Sequence, residues 1–296
     1  MVRALGFVWV MVLLAGCSGG SGEAENTGPT SVATVAEPSA TVDARPVEHW
    51  IGVEGDGFID RRTGEEFVPR GVNLLRKRGG GGDKLFQAYE AAWVEEQMAG
   101  IAGLGFNTVR VFADMCMECT STSAGIREDL LANLADLISR AAAHGLVVLL
   151  TSNDVPDPGY SDRLPCCEPF GGYRNSLYLS REGVEIGAEY FTDLVTGLRE
   201  HGAPLEAVFA WQIANEQFVL RDVAPISLVR GTVTAADGNE YDLSDDAAVR
   251  VMVENSLIAY IDGVGAAIRE ADPGGLVTMG FFAPEEEDRH AEHNRW

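Results

Sequence analysis

The chain has 296 residues, of which 46% are hydrophobic, enough for one large domain or two small ones with a sizeable core. It contains 22 Lys and Arg against 45 Asp and Glu, a formal net charge of −23 at pH 7. This excess argues against a surface for nucleic acid or for an anionic membrane, because attraction to phosphate requires positive charge. A neutral substrate such as a sugar is compatible with it.

The first 17 residues predict an export signal rather than part of the fold. Arg3 precedes an apolar run over residues 4–15 that is too short to span a bilayer comfortably. The sequence LAGC, which ends at Cys17, resembles the signal of bacterial lipoproteins. That resemblance implies cleavage before Cys17, a lipid anchor on its sulfur and a location on the outer face of a bacterial membrane. An ordinary secretory signal is the alternative.

The predicted organisation has three parts. Residues 1–17 form the signal peptide. Residues 18–46 are small, polar and proline-containing without apolar periodicity, which predicts a flexible linker. Residues 47–296 form the folded domain.

Four cysteines follow Cys17, namely Cys116, Cys119, Cys166 and Cys167. An even number in an exported protein favours two disulfides, and we expect them to join the two cysteine-containing loops. A metal site is the weaker alternative, because adjacent cysteines chelate poorly and no histidine lies near either pair in the sequence. The pairing itself stays open.

The domain begins with alternating apolar residues and turn signals that predict a small β-hairpin, followed by a strand near Phe67–Leu74. Four helix-and-strand repeats come next. The helical patterns cover about 84–103, 126–143, 181–200 and 245–270. The strands that follow them are NTVRVF, LVVLLTSN, AVFAWQIANE and LVTMGFF.

The predicted strands are apolar at nearly every position, which is typical of parallel strands covered on both sides. The fold class is therefore α/β, either an open doubly wound sheet or a closed (β/α)₈ barrel. The glycine fingerprint of a dinucleotide-binding sheet is missing after the first strand. Polar groups follow several strands, as at the site of a barrel enzyme. They are Asn73, Arg110, Asp114, Asn153, Asp154, Asn215 and Glu216.

Five segments, in order, resemble the strand motifs of the family 5 glycoside hydrolases, the cellulase family. They are RGVNLL, GFNTVRVF, HGLVVLLT, FAWQIANEQ and IREADPGGLVTMGFF. The resemblance implies a (β/α)₈ (TIM) barrel and hydrolysis of O-glycosyl bonds. By position, it implies that Glu216 is the general acid/base, that Asn215 binds a sugar 2-hydroxyl and that Arg110 supports a second carboxylate.

This assignment agrees with the chemistry, since cleaving a glycosidic bond takes a proton donor and a carboxylate. Asn73, Asn153, Asp154 and Phe218 complete the predicted substrate-binding set, although Asn153 and Asp154 fit a polar loop equally well. Aromatic residues on loops at the same end are candidate sugar platforms or loop packing; they are Tyr160, Phe170, Tyr173 and Phe218. Neither a metal nor an organic cofactor is implied.

The second carboxylate is missing from the pattern. The family places it after the seventh strand, whereas five strands are predicted here and Glu285–Glu287 follow the fifth. A complete barrel uses about 250 residues, roughly 30 per unit, so three further units would need about 90. We therefore expect an incomplete barrel. The functional hypothesis is a retaining glycoside hydrolase on a β-linked polysaccharide; the alternative is a non-catalytic carbohydrate-binding protein.

Overall fold

A computed structural model describes residues 48–75 and 85–281. The predicted signal peptide with Cys17, the linker 18–46 and Glu285–Glu287 lie outside the described residues. The described part begins with a three-stranded antiparallel sheet of β1 (Ile51–Glu54), β2 (Gly57–Asp60) and β3 (Glu65–Phe67). The predicted hairpin is confirmed, and a third strand is added to it.

A parallel sheet of five strands forms the centre of the domain. In chain order these are β4 (Gly71–Leu74), β5 (Thr108–Phe112), β8 (Val147–Thr151), β9 (Val208–Gln212) and β12 (Val277–Thr278). Their order across the sheet is β12-β9-β8-β5-β4, with all neighbours parallel. Each strand therefore lies beside the next one in the chain, as in a barrel wall.

Helices connect the strands. The long ones are α1 (Ala91–Gly103), α3 (Glu128–Ala143), α5 (Arg181–Glu200) and α6 (Asp246–Ala271); α2 (Met117–Thr120) and α4 (Tyr173–Leu179) are short. Three of the predicted helices are confirmed to within two residues at each end. The first begins at Ala91 rather than near 84, since Leu85 and Phe86 lie in a turn whose buried side chains imitate helical spacing.

The outer face of the sheet is covered by the apolar sides of these helices. Leu134 and Leu137 of α3 and Phe191 of α5 are almost fully buried. Gly187 of α5 lets α6 approach closely, because a Cβ atom there would lie 2.9 Å from the Tyr260 hydroxyl. In the described part of the chain, α6 is the one helix long and apolar enough to cross a membrane, but its inner side packs in this core.

Two small hairpins decorate the loops. One pairs β6 (Ser121–Thr122) with β7 (Gly125–Ile126), and the other pairs β10 (Thr232–Thr234) with β11 (Glu240–Asp242). The turn of the second contains the Asp237-Gly238 pair that is typical of hairpins, and Gly238 has a φ of +82°. Asp245 caps α6 by accepting a hydrogen bond from the Ala247 amide at 2.9 Å.

A buried polar network fastens the start of the domain to its end. The His49 ring lies between the Val208 carbonyl oxygen, 3.1 Å from Nδ1, and Asp272 Oδ1, 3.0 Å from Nε2. Asp272 Oδ2 also accepts a hydrogen bond from Trp211 Nε1 at 2.9 Å. His49, Trp211 and Asp272 are at most 1% exposed. Trp211 therefore belongs to the core.

The cysteine prediction is wrong in its pairing. Cys116 is bonded to Cys119, because α2 and its preceding residue bring their Cα atoms to 5.3 Å within a single loop. Cys166 and Cys167 are exposed free thiols whose sulfurs lie 2.7 Å apart. The disulfide therefore closes one loop instead of joining two.

Candidate active site

The carboxyl ends of the parallel strands bring several predicted residues together. Asn73 on β4 is paired with Arg110 on β5, and Thr151 at the end of β8 is paired with Gln212 at the end of β9. All four strands point the same way, so these side chains share one end of the sheet. Parallel pairing thus positions groups that are up to 139 residues apart in sequence, from 73 to 212.

Arg110 is the centre of this group. Its Nε atom donates to Thr151 Oγ1 at 3.1 Å and to Gln212 Oε1 at 2.8 Å. Its Nη1 donates to Asn73 Oδ1 at 3.3 Å, and its Nη2 donates to Asn215 Oδ1 at 2.8 Å. The four neutral oxygens fix the plane of the guanidinium. Burial lowers the pKa of Arg110, whereas the nearby negative charge of Glu216 raises it.

Glu216 lies beyond the strand rather than at its end, which corrects the prediction. Regular strand β9 ends at Gln212, and the backbone then turns outward before Gln217 pairs with Phe281. Glu216 is exposed and has a φ of +49°, a left-handed conformation that costs energy for a residue other than glycine. Such backbone strain is concentrated at functional positions.

Gly280 holds this turn in place. Its amide donates to the Ala214 carbonyl oxygen at 2.8 Å, and its own carbonyl oxygen accepts from the Gln217 amide at 2.8 Å. A Cβ atom at Gly280 would lie 2.6 Å from Gln212 Nε2, so any side chain there would displace the network under Arg110. The predicted fifth strand, 276–282, is regular only over Val277–Thr278, yet its backbone bonds extend to Gly280.

Asp114 organises the loop after β8. Its buried carboxylate accepts hydrogen bonds from the Asn153 and Asp154 amides, each at 2.7 Å, and from Ser152 Oγ at 3.1 Å. Burial raises the pKa of Asp114 to about 6 despite these donors. Asp114 therefore fixes the backbone that presents Asn153 and Asp154.

Those two residues line a cavity of about 270 Å³ beside the Asn215-Glu216 pair. Its wall consists of Asp114, Asn153, Asp154, Val155, Pro156, Asp157, Ser161 and Tyr173. Asn153 joins the cavity to the strand-end network, because its Oδ1 lies 3.4 Å from Asn215 Nδ2. Burial raises the pKa of Asp154 to about 6, and the positive charge of Arg174 opposes that shift.

Arg174 on α4 is a site residue that the sequence did not reveal. Its Nη2 lies 3.3 Å from Asp154 Oδ2, and its guanidinium carbon lies 4.1 Å from the centre of the Phe218 ring. Gln212 and Thr151 were also missed. Of these two residues, only Gln212 could have been identified from the sequence, because it is a polar residue inside an otherwise apolar strand. For Arg174, the contacts join segments that nothing in the sequence connects.

The aromatic candidates divide between packing and the site. Tyr160 and Phe170 are buried and belong to the core. Tyr173 lines the cavity. Its hydroxyl accepts a hydrogen bond from the Val155 amide at 2.7 Å and donates one to the Val155 carbonyl oxygen at 3.0 Å. The hydroxyl is therefore occupied, and the ring is the part of Tyr173 that can contact a ligand. Phe218 is half-buried beneath Arg174.

No family model and no curated protein matches the chain. Among solved structures, an endo-1,4-beta-mannanase from Rhizomucor miehei is similar at 17% identity and a TM-score of 0.53, covering 80% of this chain and 63% of that one. An exo-beta-1,4-mannosidase from Opitutaceae bacterium strain TAV5 is similar at 20% identity and a TM-score of 0.50, covering 76% of this chain and 34% of that one.

Over the described residues, 48–75 and 85–281, the fold is part of a (β/α)₈ barrel with five of its strands. The chain spans less than two thirds of the length of both proteins. At these identities the likeness establishes the architecture alone, and the predicted fold class is confirmed on that ground together with the five parallel strands in chain order. The roles of the site residues stay predictions.

Proposed function

We propose that the protein is a retaining glycoside hydrolase that acts on a β-linked polysaccharide or oligosaccharide of the mannan or cellulose type. One observation carries the proposal: Arg110 is hydrogen-bonded to both Asn73 and Asn215 beside the exposed Glu216, at the carboxyl end of a parallel sheet. Barrel enzymes build their sites at this end of the sheet. The two mannan-cleaving enzymes with the same architecture support the substrate class.

In this mechanism Glu216 donates a proton to the glycosidic oxygen and then accepts one from the attacking water. The Asn215 amide is oriented because its Oδ1 accepts from Arg110 while one Nδ2 hydrogen is donated to Asn153 Oδ1 at 3.4 Å; the second Nδ2 hydrogen is the one that would bind a sugar hydroxyl. Such a bond strengthens as positive charge develops on the sugar ring. The Arg110 charge stabilises carboxylates at this end of the sheet.

A retaining enzyme also needs a carboxylate nucleophile about 5–5.5 Å from the acid/base. Two acidic residues near the site are already engaged: Asp114 accepts from backbone amides, and Asp154 pairs with Arg174. The proposal therefore assigns the nucleophile to a part of the barrel that lies outside residues 48–75 and 85–281.

We also propose that the protein lies on the outer face of a bacterial membrane, anchored by a lipid on Cys17. Cells that express the protein should incorporate radiolabelled palmitate into it, and the Cys17→Ser variant should not be labelled.

The hydrolase proposal is tested by measuring reducing ends released from 1,4-β-mannan and from β-glucan by the full chain and by Glu216→Gln. An acid/base variant should lose polysaccharide activity by 10²-fold or more, on the order of the contribution of general acid catalysis. It should lose much less activity on an aryl β-glycoside whose leaving group needs no proton. Equal losses on both substrates would contradict the assigned role of Glu216.

A non-catalytic carbohydrate-binding protein is the second candidate. It is favoured by the engagement of Asp114 and Asp154, whose carboxylates bind backbone amides and Arg174 respectively. Under this alternative the chain binds mannan or cellulose oligosaccharides and releases no reducing ends. The Glu216→Gln variant should then bind these oligosaccharides as tightly as the wild type does. Hydrolysis that depends on Glu216 would exclude it.

A further inference from the structure

The loop that leads into α4 carries two thiols that are free in the described part of the chain. Cys166 and Cys167 are both exposed, and their sulfurs lie 2.7 Å apart with a hydrogen bond between them. The other two cysteines of the described residues, Cys116 and Cys119, are already joined to each other. Two accessible thiols in contact can take part in covalent chemistry on sulfur, because a thiolate is a good nucleophile.

The loop is fixed on both sides of the two thiols. Before them, Leu164 is buried in the core, and the Pro165 carbonyl oxygen accepts a hydrogen bond from Ser176 Oγ at 2.6 Å. After them, Phe170 is also buried in the core, and its amide donates to the Cys167 carbonyl oxygen at 3.1 Å. The two thiols therefore project from a short segment with anchored ends, which limits how far their sulfurs can separate.

The hydrogen bond between the thiols indicates which sulfur reacts first. It raises the pKa of the Cys167 thiol, so Cys167 keeps its proton and donates the hydrogen bond to the Cys166 sulfur. The species that attacks a disulfide is a thiolate rather than a thiol. Cys166 is therefore the first attacking sulfur, and Cys167 is the neighbour that attacks second.

Disulfide chemistry fits these two thiols better than a metal site does. Within the described ranges, no group of three His, Cys, Asp or Glu side chains is arranged to hold a metal ion. A metal ion at the two thiols would thus have two protein ligands, whereas structural zinc takes four. Thiol–disulfide exchange requires only the two sulfurs.

We propose that Cys166 and Cys167 form a redox-active dithiol that reduces low-molecular-weight disulfides and closes to a disulfide between adjacent residues. The Cys166 thiolate attacks one sulfur of the external disulfide, which forms a mixed disulfide and releases one thiolate. Cys167 then loses its proton to solvent and attacks Cys166 Sγ, which breaks the mixed disulfide and releases the second thiolate. The two released thiolates take up two protons. The dithiol is thereby oxidised, and the external disulfide is reduced to two thiols.

The disulfide formed in this way is strained and therefore reversible. The Cα atoms of adjacent residues are at most about 3.8 Å apart, whereas disulfides usually join Cα atoms about 4.4–6.8 Å apart. Cys116 and Cys119, at 5.3 Å, lie within that range. A departure from it makes a disulfide easier to reduce, and strained, exposed disulfides are the labile ones. We therefore expect the dithiol to be recovered when reduced glutathione is added.

The test incubates the full chain with oxidised glutathione, blocks the remaining thiols with N-ethylmaleimide and digests the protein with trypsin. Cleavage after Arg163 and Arg174 gives a peptide of residues 164–174, which contains both cysteines of the dithiol and no other. In mass spectrometry the wild-type peptide should lose two hydrogen atoms and regain them with reduced glutathione. Cys166→Ser and Cys167→Ser lack the neighbouring thiol, so each should carry at least about tenfold more mixed disulfide with glutathione than wild type does.

The same digest contains an internal control. Trypsin also releases residues 111–127, in which Cys116 and Cys119 are already paired, and this peptide should carry no glutathione in any of the three proteins. Both single variants replace exposed side chains, so the fold should be retained, and circular dichroism verifies it.

Each outcome decides for or against the dithiol. A disulfide within the wild-type peptide, with mixed disulfide accumulating only in the single variants, supports it. As much mixed disulfide in wild type as in the single variants would overturn it, because the neighbouring thiol would not be attacking. Complete alkylation of the wild-type peptide, or covalent dimers of the chain in non-reducing electrophoresis, would overturn it as well. No sugar enters the measurement, so its result is independent of the proposed function.

Discussion

Two partly buried arginines lie at the same end of the sheet and are held in opposite ways. Arg110 is fixed by four neutral oxygens, from Thr151, Gln212, Asn73 and Asn215. Arg174 is paired with a carboxylate, stacked on an aromatic ring, and retains an unpaired Nη1 in the described structure. The contrast separates an arginine held by a hydrogen-bond network from one held by a single ion pair and an aromatic ring.

The largest expected difference between them is in stability. Arg110→Met removes the guanidinium donor from Thr151, Gln212 and Asn215, of which Gln212 Oε1 keeps the Thr151 hydroxyl at 2.9 Å, and we expect the free energy of unfolding to fall by about 2–3 kcal/mol. Arg174→Met loses a single ion pair that is partly exposed, for which we expect about 1 kcal/mol or less. Urea unfolding of both variants measures the difference. If Arg110→Met is no less stable than Arg174→Met, the comparison fails.

The next effect concerns pH and the carboxylate beside Arg174. Burial raises the pKa of Asp154 from 3.8 to about 6, so the folded state binds a proton more tightly than the unfolded state does. This group is therefore unfavourable above pH 6, and its cost disappears as the pH falls toward 4. Between pH 7 and pH 5 it should add on the order of 1 kcal/mol of stability.

Asp114 and other groups titrate in the same range, so the pH experiment compares wild type with Asp154→Asn. The variant lacks the carboxyl group and should gain less stability than wild type between pH 7 and pH 5 in urea unfolding. An identical gain in stability in the two proteins would show that Asp154 is not a carboxyl group whose pKa is raised in the folded state.

The smallest effect concerns the aromatic partner of Arg174. Phe218→Ala removes the ring but leaves the ion pair between Arg174 and Asp154, and a cation–π contact at a partly exposed site contributes about 0.5–1 kcal/mol. We expect a two- to fivefold loss of affinity for β-1,4-mannotetraose by calorimetry, with little change in the urea midpoint. Phe218→Tyr, which keeps an aromatic face, should restore most of the affinity; a failure to do so would remove Phe218 from the site.

The sequence was sufficient for the features that depend on local periodicity. Continuous apolar runs located β5, β8 and β9, and helical spacing located α3, α5 and α6 to within two residues. The polar groups after the strands identified Asn73, Arg110 and Asn215, which the structure brings together around one guanidinium. These predictions succeeded because parallel pairing forces the strand ends to one side.

The remaining features depend on contacts between distant segments. The Asp154–Arg174 pair joins residues 20 apart across a loop, and the disulfide depends on a short helical turn that cysteine spacing did not distinguish from a bridge between loops. The outward turn at Glu216 depends on Gly280, 64 residues later. No single-segment pattern contains such information, since each contact is decided by packing.

The His49–Asp272 contact has a consequence for how the chain is made. The two residues are separated by 223 positions, so the ribosome has synthesised almost all of the described domain before the partner of His49 exists. Until then, the His49 ring and the Trp211 indole lack the carboxylate that satisfies them in the finished protein. A nascent chain interrupted before Asp272 would keep both polar groups exposed or poorly buried. The packing of this part of the domain therefore has to wait until Asp272 has been synthesised.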